Sequence, residues 1–358
     1  MMKLYKLLFA FLLLPTILIA NDKKKHEKSK TINRTFAVTK NATLYLNNKY
    51  GNINVTTWNK NSVEINIKIT VKGSDLDNVE QKLKSIDVNF EATENLVEAR
   101  TIFEEIKSNW SFWKSNNNTN YQVNYFVKMP ITNNADFNNK YGNIIIDTLK
   151  GKTNIDCDYG NLEIESLLNE SNNITLDYCG SSEINFINSG NINIDYSKLT
   201  IDETNTVKIN ADYTTIAIND ANTVDFNADY GSIKISEVKN ITGNSDYVSI
   251  RLGTIYKNLN LKTDYGSIKI SELANGFNNA EISSEYAGIT IGTKKTNNFN
   301  FMLNLQYGGF RYNKSNVEMF KSIEKGGKKY YEGIYGKGET NATLRIKSQY
   351  GSVNFKEL

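Results

Sequence analysis

The sequence predicts an all-β chain: a parallel β-helix (a single-stranded β-solenoid) with rungs of about 18 residues and an amino-terminal α+β cap. Three observations predict it. A Tyr-Gly signature recurs at a near-constant interval, apolar and polar side chains alternate on both sides of it, and the 358 residues contain only two prolines, Pro15 and Pro130.

Residues 1–20 carry Lys3 and Lys6, no acidic group, and an apolar run from Leu7 to Ile19 ending at Ala20, the layout of a signal peptide. The run is shorter than the roughly 20 residues a spanning helix needs, so no transmembrane segment is expected in the mature chain. An uncleaved anchor is the alternative, because Leu18 is bulky for its place two before Ala20. No Cys follows the run, so a lipoprotein anchor is not indicated. The expected location is exported: periplasm, outer surface or medium. Residues 21–30, with Lys23, Lys24, Lys25, His26 and Lys28, read as a polar linker, or less favourably as a basic tether. Beyond residue 20 the chain holds 40 basic and 39 acidic groups, which excludes the one-sided basic field of a nucleic-acid binder.

Residues 31–135 read as an amino-terminal cap. Val63-Ile65-Ile67-Ile69-Val71 and Tyr121-Val123-Tyr125-Val127 alternate as strands, and a helix is expected at about 75–86, with Ser74 as N-cap and Leu76, Val79, Leu83 and Ile86 on one face. Such a cap would cover the open strand edge at a solenoid end.

Residues 136–358 read as the solenoid. The signature is Lys140-Tyr141-Gly142-Asn143-Ile144, Asp158-Tyr159-Gly160-Asn161-Leu162, Asp229-Tyr230-Gly231-Ser232-Ile233, Asp264-Tyr265-Gly266-Ser267-Ile268 and Gln349-Tyr350-Gly351-Ser352-Val353, with a copy at Lys49-Tyr50-Gly51-Asn52-Ile53 inside the cap. Tyr178, Tyr196, Tyr213, Tyr247, Tyr286 and Tyr307 mark degenerate copies, and the intervals from Tyr141 to Tyr307 are 18, 19, 18, 17, 17, 17, 18, 21 and 21 residues. Before Tyr230, Ala228, Phe226 and Val224 alternate with Asp229, Asn227 and Asp225; after it, Ile233 and Ile235 flank Lys234. A unit this short cannot bury its apolar face alone, so units must stack about 4.8 Å apart. Residues 313–339, rich in Lys and Gly, interrupt the period as a hairpin or a loop.

Counting by twos places each turn Tyr on the inward face, as a stabilising ring ladder; a sugar-binding strip would require outward rings. Asp158, Asp177, Asp195, Asp212, Asp229, Asp246 and Asp264 form an outer column. Either each carboxylate accepts backbone N–H bonds at its own turn, or Ca²⁺ sits between rungs. Cys157 and Cys179 are expected to be too far apart to bridge. The only histidine is His26, and no catalytic triad, phosphate loop or nucleotide fingerprint is visible, so no catalytic residue, cofactor or metal site is expected. Trp110, Phe112 and Trp113, beside Asn116 to Asn120, either pack on the cap or form an exposed partner contact.

The Tyr-Gly-Asn/Ser-Ile repeats, the cap residues Val127-Lys128-Met129-Pro130 and the closing Gln349-Tyr350-Gly351 resemble the putative adhesin domain family of Bacteroidota envelope proteins, itself similar to head GIN adhesin domains, over roughly Thr31 to Leu358. The resemblance implies a β-helix and adhesion, and carries over no residue roles. Asp177-Tyr178-Cys179-Gly180 and Asp246-Tyr247-Val248-Ser249 depart from the pattern. The expected function is therefore a non-catalytic envelope adhesin, or binding or structural module, for an unknown protein or glycan. A periplasmic sensor or scaffold for a regulatory partner is the first alternative, and a β-helix carbohydrate-active enzyme the second.

Overall fold

The computed structural model describes residues 25–104 and 119–358. Nearly all of them lie in strands of one 21-stranded sheet, with a single α-helix. The expected signal peptide and the Trp110, Phe112, Trp113 segment lie outside the described residues.

The amino-terminal part comprises β1 (His26–Ala37), β2 (Thr43–Lys49), β3 (Ile53–Trp58), β4 (Ser62–Gly73), α1 (Leu76–Ser85), β5 (Ile86–Ala92), β6 (Leu96–Phe103) and β7 (Thr119–Pro130). β4 lies antiparallel between β1 and β7, β7 continues parallel into β3, and β5 pairs antiparallel with β6. β1 begins at His26, so half of the segment read as a linker is strand, held because Ile32 and Phe36 pack on the core. Helix α1 is capped one residue later than expected: Asp75 Oδ1 accepts from the Asn78 N–H at 2.9 Å. Of its apolar face Val79 is buried and Leu83 packs on the core, while Leu76 is left at the surface.

The repeats follow as β8 (Asn134–Lys140), β9 (Ile144–Leu149), β10 (Thr153–Asp158), β11 (Leu162–Leu167), β12 (Asn172–Asp177), β13 (Ser182–Asp195), β14 (Lys198–Leu273) and β15 (Asn279–Thr293). Each pairs parallel and in register with the equivalent segment of the next repeat: Asp158↔Asp177, Asp177↔Asp195, Asp195↔Asp212 and Asp264↔Glu285. Alternate side chains such as Ile155, Ile174, Ile192 and Ile209 therefore form continuous inner columns, each fully or almost fully buried, and one apolar cluster runs the length of the described residues. Burial of each such side chain contributes roughly 1.5–3 kcal/mol.

Both ends depart from chain order. β2 pairs parallel with both β6 and β8, so Lys49 sits opposite Lys140. At the other end come β16 (Phe299–Gln306), β17 (Phe310–Arg311), β18 (Val317–Lys325), β19 (Lys328–Tyr335), β20 (Thr343–Gln349) and β21 (Val353–Glu357). The Lys- and Gly-rich insertion is a hairpin: β18 and β19 are antiparallel, and β19 then closes antiparallel on β16. The last repeat, β20 and β21, lies between β15 on one side and β16 and β17 on the other.

Candidate functional site

Each repeat turns a corner at its Tyr, and all twelve corner tyrosines are left-handed, with φ between 49° and 65°. For a residue with a Cβ this conformation costs roughly 1–2 kcal/mol. It also ends the strand's alternation, so the ring swings outward instead of following its apolar neighbours inward. This corrects the inward placement read from the sequence: Tyr141, Tyr159, Tyr230 and Tyr265 are between 42% and 47% exposed.

The next residue takes the inner place. At Gly160 an added Cβ would lie 2.0 Å from the Gly142 carbonyl oxygen, so neighbouring backbones approach there as only glycine permits. At two corners that depart from Tyr-Gly, hydroxyls hold the turn: Ser197 Oγ accepts from the Cys179 N–H at 2.7 Å and donates to the Asp195 carbonyl at 2.7 Å, and Thr214 Oγ1 donates to the Asp212 carbonyl at 2.8 Å. Cys157 and Cys179 are buried free thiols. The Cys179 thiol donates to the Cys157 carbonyl at 3.1 Å, and the hydrogen bond to Cys179, with burial, pushes the Cys157 thiol up.

The twelve rings form one stack in the order Tyr50, Tyr141, Tyr159, Tyr178, Tyr196, Tyr213, Tyr230, Tyr247, Tyr265, Tyr286, Tyr350, Tyr307, with centroids 4.7–5.1 Å apart. Each pair is worth roughly 0.5–1.5 kcal/mol, enough to offset much of the corner strain. The ends are covered as well: Tyr121 meets Tyr50 edge-on at 5.1 Å, and Gly327 packs against the Tyr307 ring. Ring faces are thus occupied along the whole ladder, and only hydroxyl-bearing edges meet solvent. Although the rings point outward, this strip offers no free face on which a sugar could stack.

The Asp column runs beside the ladder. Its carboxylates do not close local turns; the one bond of this kind joins repeats, from the Asp212 N–H to Asp195 Oδ1 at 3.2 Å. Burial, then Asp158 and Asp195, raise the Asp177 pKa, while Lys140 relieves the first member through Asp158 at 3.2 Å. Among the described residues no group of three or more His, Cys, Asp or Glu is placed to hold a metal ion. A shallow depression of about 530 Å³ is lined by Asp147, Glu163, Glu165 and Glu183. Glu163 and Glu183 are register partners in neighbouring repeats, not an acid and a base in contrasting surroundings.

A second surface lies on the outer face of the amino-terminal sheet. Asn54, Phe126, Asn66 and Asn33 form one row across β3, β7, β4 and β1, and Thr56, Lys128, Glu64 and Thr35 the next. They line a hollow of about 500 Å³ in which Phe126 is 48% exposed. Asn66 donates to Asn33, and Asn54 Nδ2 donates to the Tyr125 carbonyl at 3.3 Å, so the amides are oriented by the sheet. Sequence reasoning missed this site. Its signal was an aromatic at an outward position, between Asn124 and Lys128, in a strand whose other large apolar residues point inward.

No family model matches the chain, and no curated protein does. Solved structures do. One is a "putative cell adhesion protein" from Clostridium sporogenes, 14% identical, covering 92% of this chain and 100% of that one at a TM-score of 0.21. Another is a "putative adhesin" from Bacteroides fragilis, 11% identical, covering 92% and 97% at 0.25. A third is a "putative adhesin" from Parabacteroides merdae, 11% identical, covering 92% and 96% at 0.31. Likenesses of this size leave function to be argued from the chain itself.

Proposed function

We propose that the chain is an exported, non-catalytic binding module of the cell envelope, built as a parallel β-solenoid, that contacts a glycan or protein through its amino-terminal cap. The in-register pairing of successive repeats and the unbroken Tyr stack support the solenoid reading. They give a stiff spacer on the order of 50 Å long.

The observation that carries the binding role is the Phe126 hollow. An exposed aromatic ring flanked by Asn33, Asn54 and Asn66 pairs an apolar surface with oriented donors and acceptors, which is what a sugar's C–H groups and hydroxyls require. Trp110, Phe112 and Trp113 are proposed as a second contact element of the cap. The corner residues Tyr141, Gly142, Asp158, Tyr159, Gly160, Asp229, Tyr230, Gly231, Asp264, Tyr265 and Gly266 are given a structural role only.

The test is glycan-array and whole-cell binding of residues 21–358 against Phe126→Ala and against Trp110→Ala with Trp113→Ala, each checked for an unchanged melting temperature. Loss of binding in either variant supports the cap as the contact region. Unchanged binding in both removes it. Protease treatment of intact cells then separates a surface adhesin, which is cut, from a periplasmic scaffold, which is spared.

A further inference from the structure

The outer face of β18, β19, β16 and β20 differs from the exterior of the repeats. Three rows cross it in register: Lys325, Lys328, Gln306, Gln349; then Ile323, Tyr330, Asn304, Lys347; then Lys321, Glu332, Met302, Arg345. Phe320 occupies the bulge where the β18–β19 register slips between Met319 and Lys321, and there it is 57% exposed. A bulge re-aims the extra side chain, here to solvent beside Met302 and Arg345. Ile323, one row away, is 48% exposed.

The charges on this face are unevenly satisfied. Arg345 reaches Glu281 at 3.5 Å and Lys321 lies over the Tyr330 ring at 5.4 Å, but Lys325, Lys328 and Lys347 have no ion-pair partner among the described residues. With Ile323 and Tyr330 they line a hollow of about 380 Å³. The acids on the same face are Glu318 and Glu332, and Glu332 is engaged by the Tyr330 hydroxyl at 2.7 Å. Residues 313–358 hold nine basic and five acidic side chains, whereas residues 141–312 hold thirteen and twenty-one. Within residues 141–358 the net positive charge is therefore gathered where large apolar side chains are also exposed.

We propose that this face docks the protein on an anionic lipid bilayer. Lys325, Lys328 and Lys347 meet headgroup phosphates, and Phe320 and Ile323 enter the boundary between headgroups and acyl chains. A soluble polyanion would use the lysines but would gain nothing from Phe320 and Ile323; a bilayer uses both. The acidic repeats would be repelled from the same surface, so the hairpin end and not the repeats would make the contact.

The experiment is co-sedimentation of the mature chain with phosphatidylcholine vesicles, with and without phosphatidylglycerol, at low and high salt. Expected is binding only to the anionic vesicles, weakened by salt. It should fall about a hundredfold or more in Lys325→Glu/Lys328→Glu/Lys347→Glu, and by a similar factor in Phe320→Ser/Ile323→Ser, roughly what three charges or two buried apolar side chains contribute at a membrane surface. Lys234→Glu/Lys269→Glu, on the repeats, should bind like the parent. Two results overturn the proposal: no preference for anionic over neutral vesicles, or wild-type binding by the Phe320/Ile323 variant with competition by a soluble polyanion. All substituted groups are at the surface, and circular dichroism melts are the check that each variant is folded.

Discussion

Tyr286 and Tyr350 stack with ring centroids 4.7 Å apart and planes within 3°, the tightest contact in the ladder. The next corner in the chain after Tyr286 is Tyr307, yet Tyr350 lies between them and stacks on both. The carboxy-terminal repeat is thus an inserted wedge that buries Leu344, Ile346, Val353 and Phe355 between two neighbours.

Removing residues 340–358 should therefore be more damaging than a terminal truncation usually is. Four such side chains contribute about 6–12 kcal/mol of burial, comparable to the whole stability of a typical domain. Expected is loss of cooperative unfolding and aggregation through the bared β15 and β16 edges. Hydrogen exchange that leaves residues 279–306 as protected as in the parent would refute the wedge.

In the middle of the ladder, Tyr213→Ala should cost about 1–3 kcal/mol, the loss of two ring pairs. Tyr213→Gly should be the milder change, because glycine is at ease at the observed φ of 52°. Tyr213→Phe should fall within about 0.5 kcal/mol of the parent, since only an exposed edge changes. Urea unfolding of the three variants gives the ranking, and Ala above Gly in stability would sink the corner-strain account.

Glycines separate in the same way. Gly160→Ala puts a Cβ 2.0 Å from the Gly142 carbonyl oxygen, whereas the position at Gly180 has nothing within 4 Å. The first should cost about 1–3 kcal/mol or more and the second should be close to neutral, read as shifts in urea midpoint.

Asp177 titrates above the usual carboxylate range because it is partly desolvated and sits between Asp158 and Asp195. A raised folded-state pKa means the charged form is penalised on folding. The penalty is complete above the folded pKa and disappears as pH falls below the unfolded value. Asp177→Asn should therefore raise the melting temperature at neutral pH and lose that advantage progressively as pH falls through the folded pKa to below about 4. Glu324 and Glu357, whose pKa values are lowered by hydrogen bonds from Tyr331 and Asn313, act in the opposite sense, so the informative quantity is the difference between variant and parent at each pH.

Cys157 and Cys179 should resist alkylation in the native protein, being fully buried, and react together on unfolding. Rapid labelling of either thiol under native conditions would show that the Tyr159 and Tyr178 corners open locally.

The alternation around Ala228, Phe226 and Val224, and the interval between tyrosines, by themselves determined that the chain is all-β and which side chains form its core, because burying one face of a short strand leaves no other arrangement for a period of two. Three things were decided only by tertiary structure. The rings point outward because a left-handed corner breaks the alternation, and that conformation is held by the repeats on either side of it. The last repeat lies between the Tyr286 and Tyr307 repeats because the β18–β19 hairpin already occupies the outer edge of β16, and near-identical repeats carry nothing in their sequence to say which neighbour they will meet. Phe126 joins a polar-lined hollow, and is not a stray aromatic, only because β1, β3 and β4 bring three asparagines beside it from positions far apart in the chain.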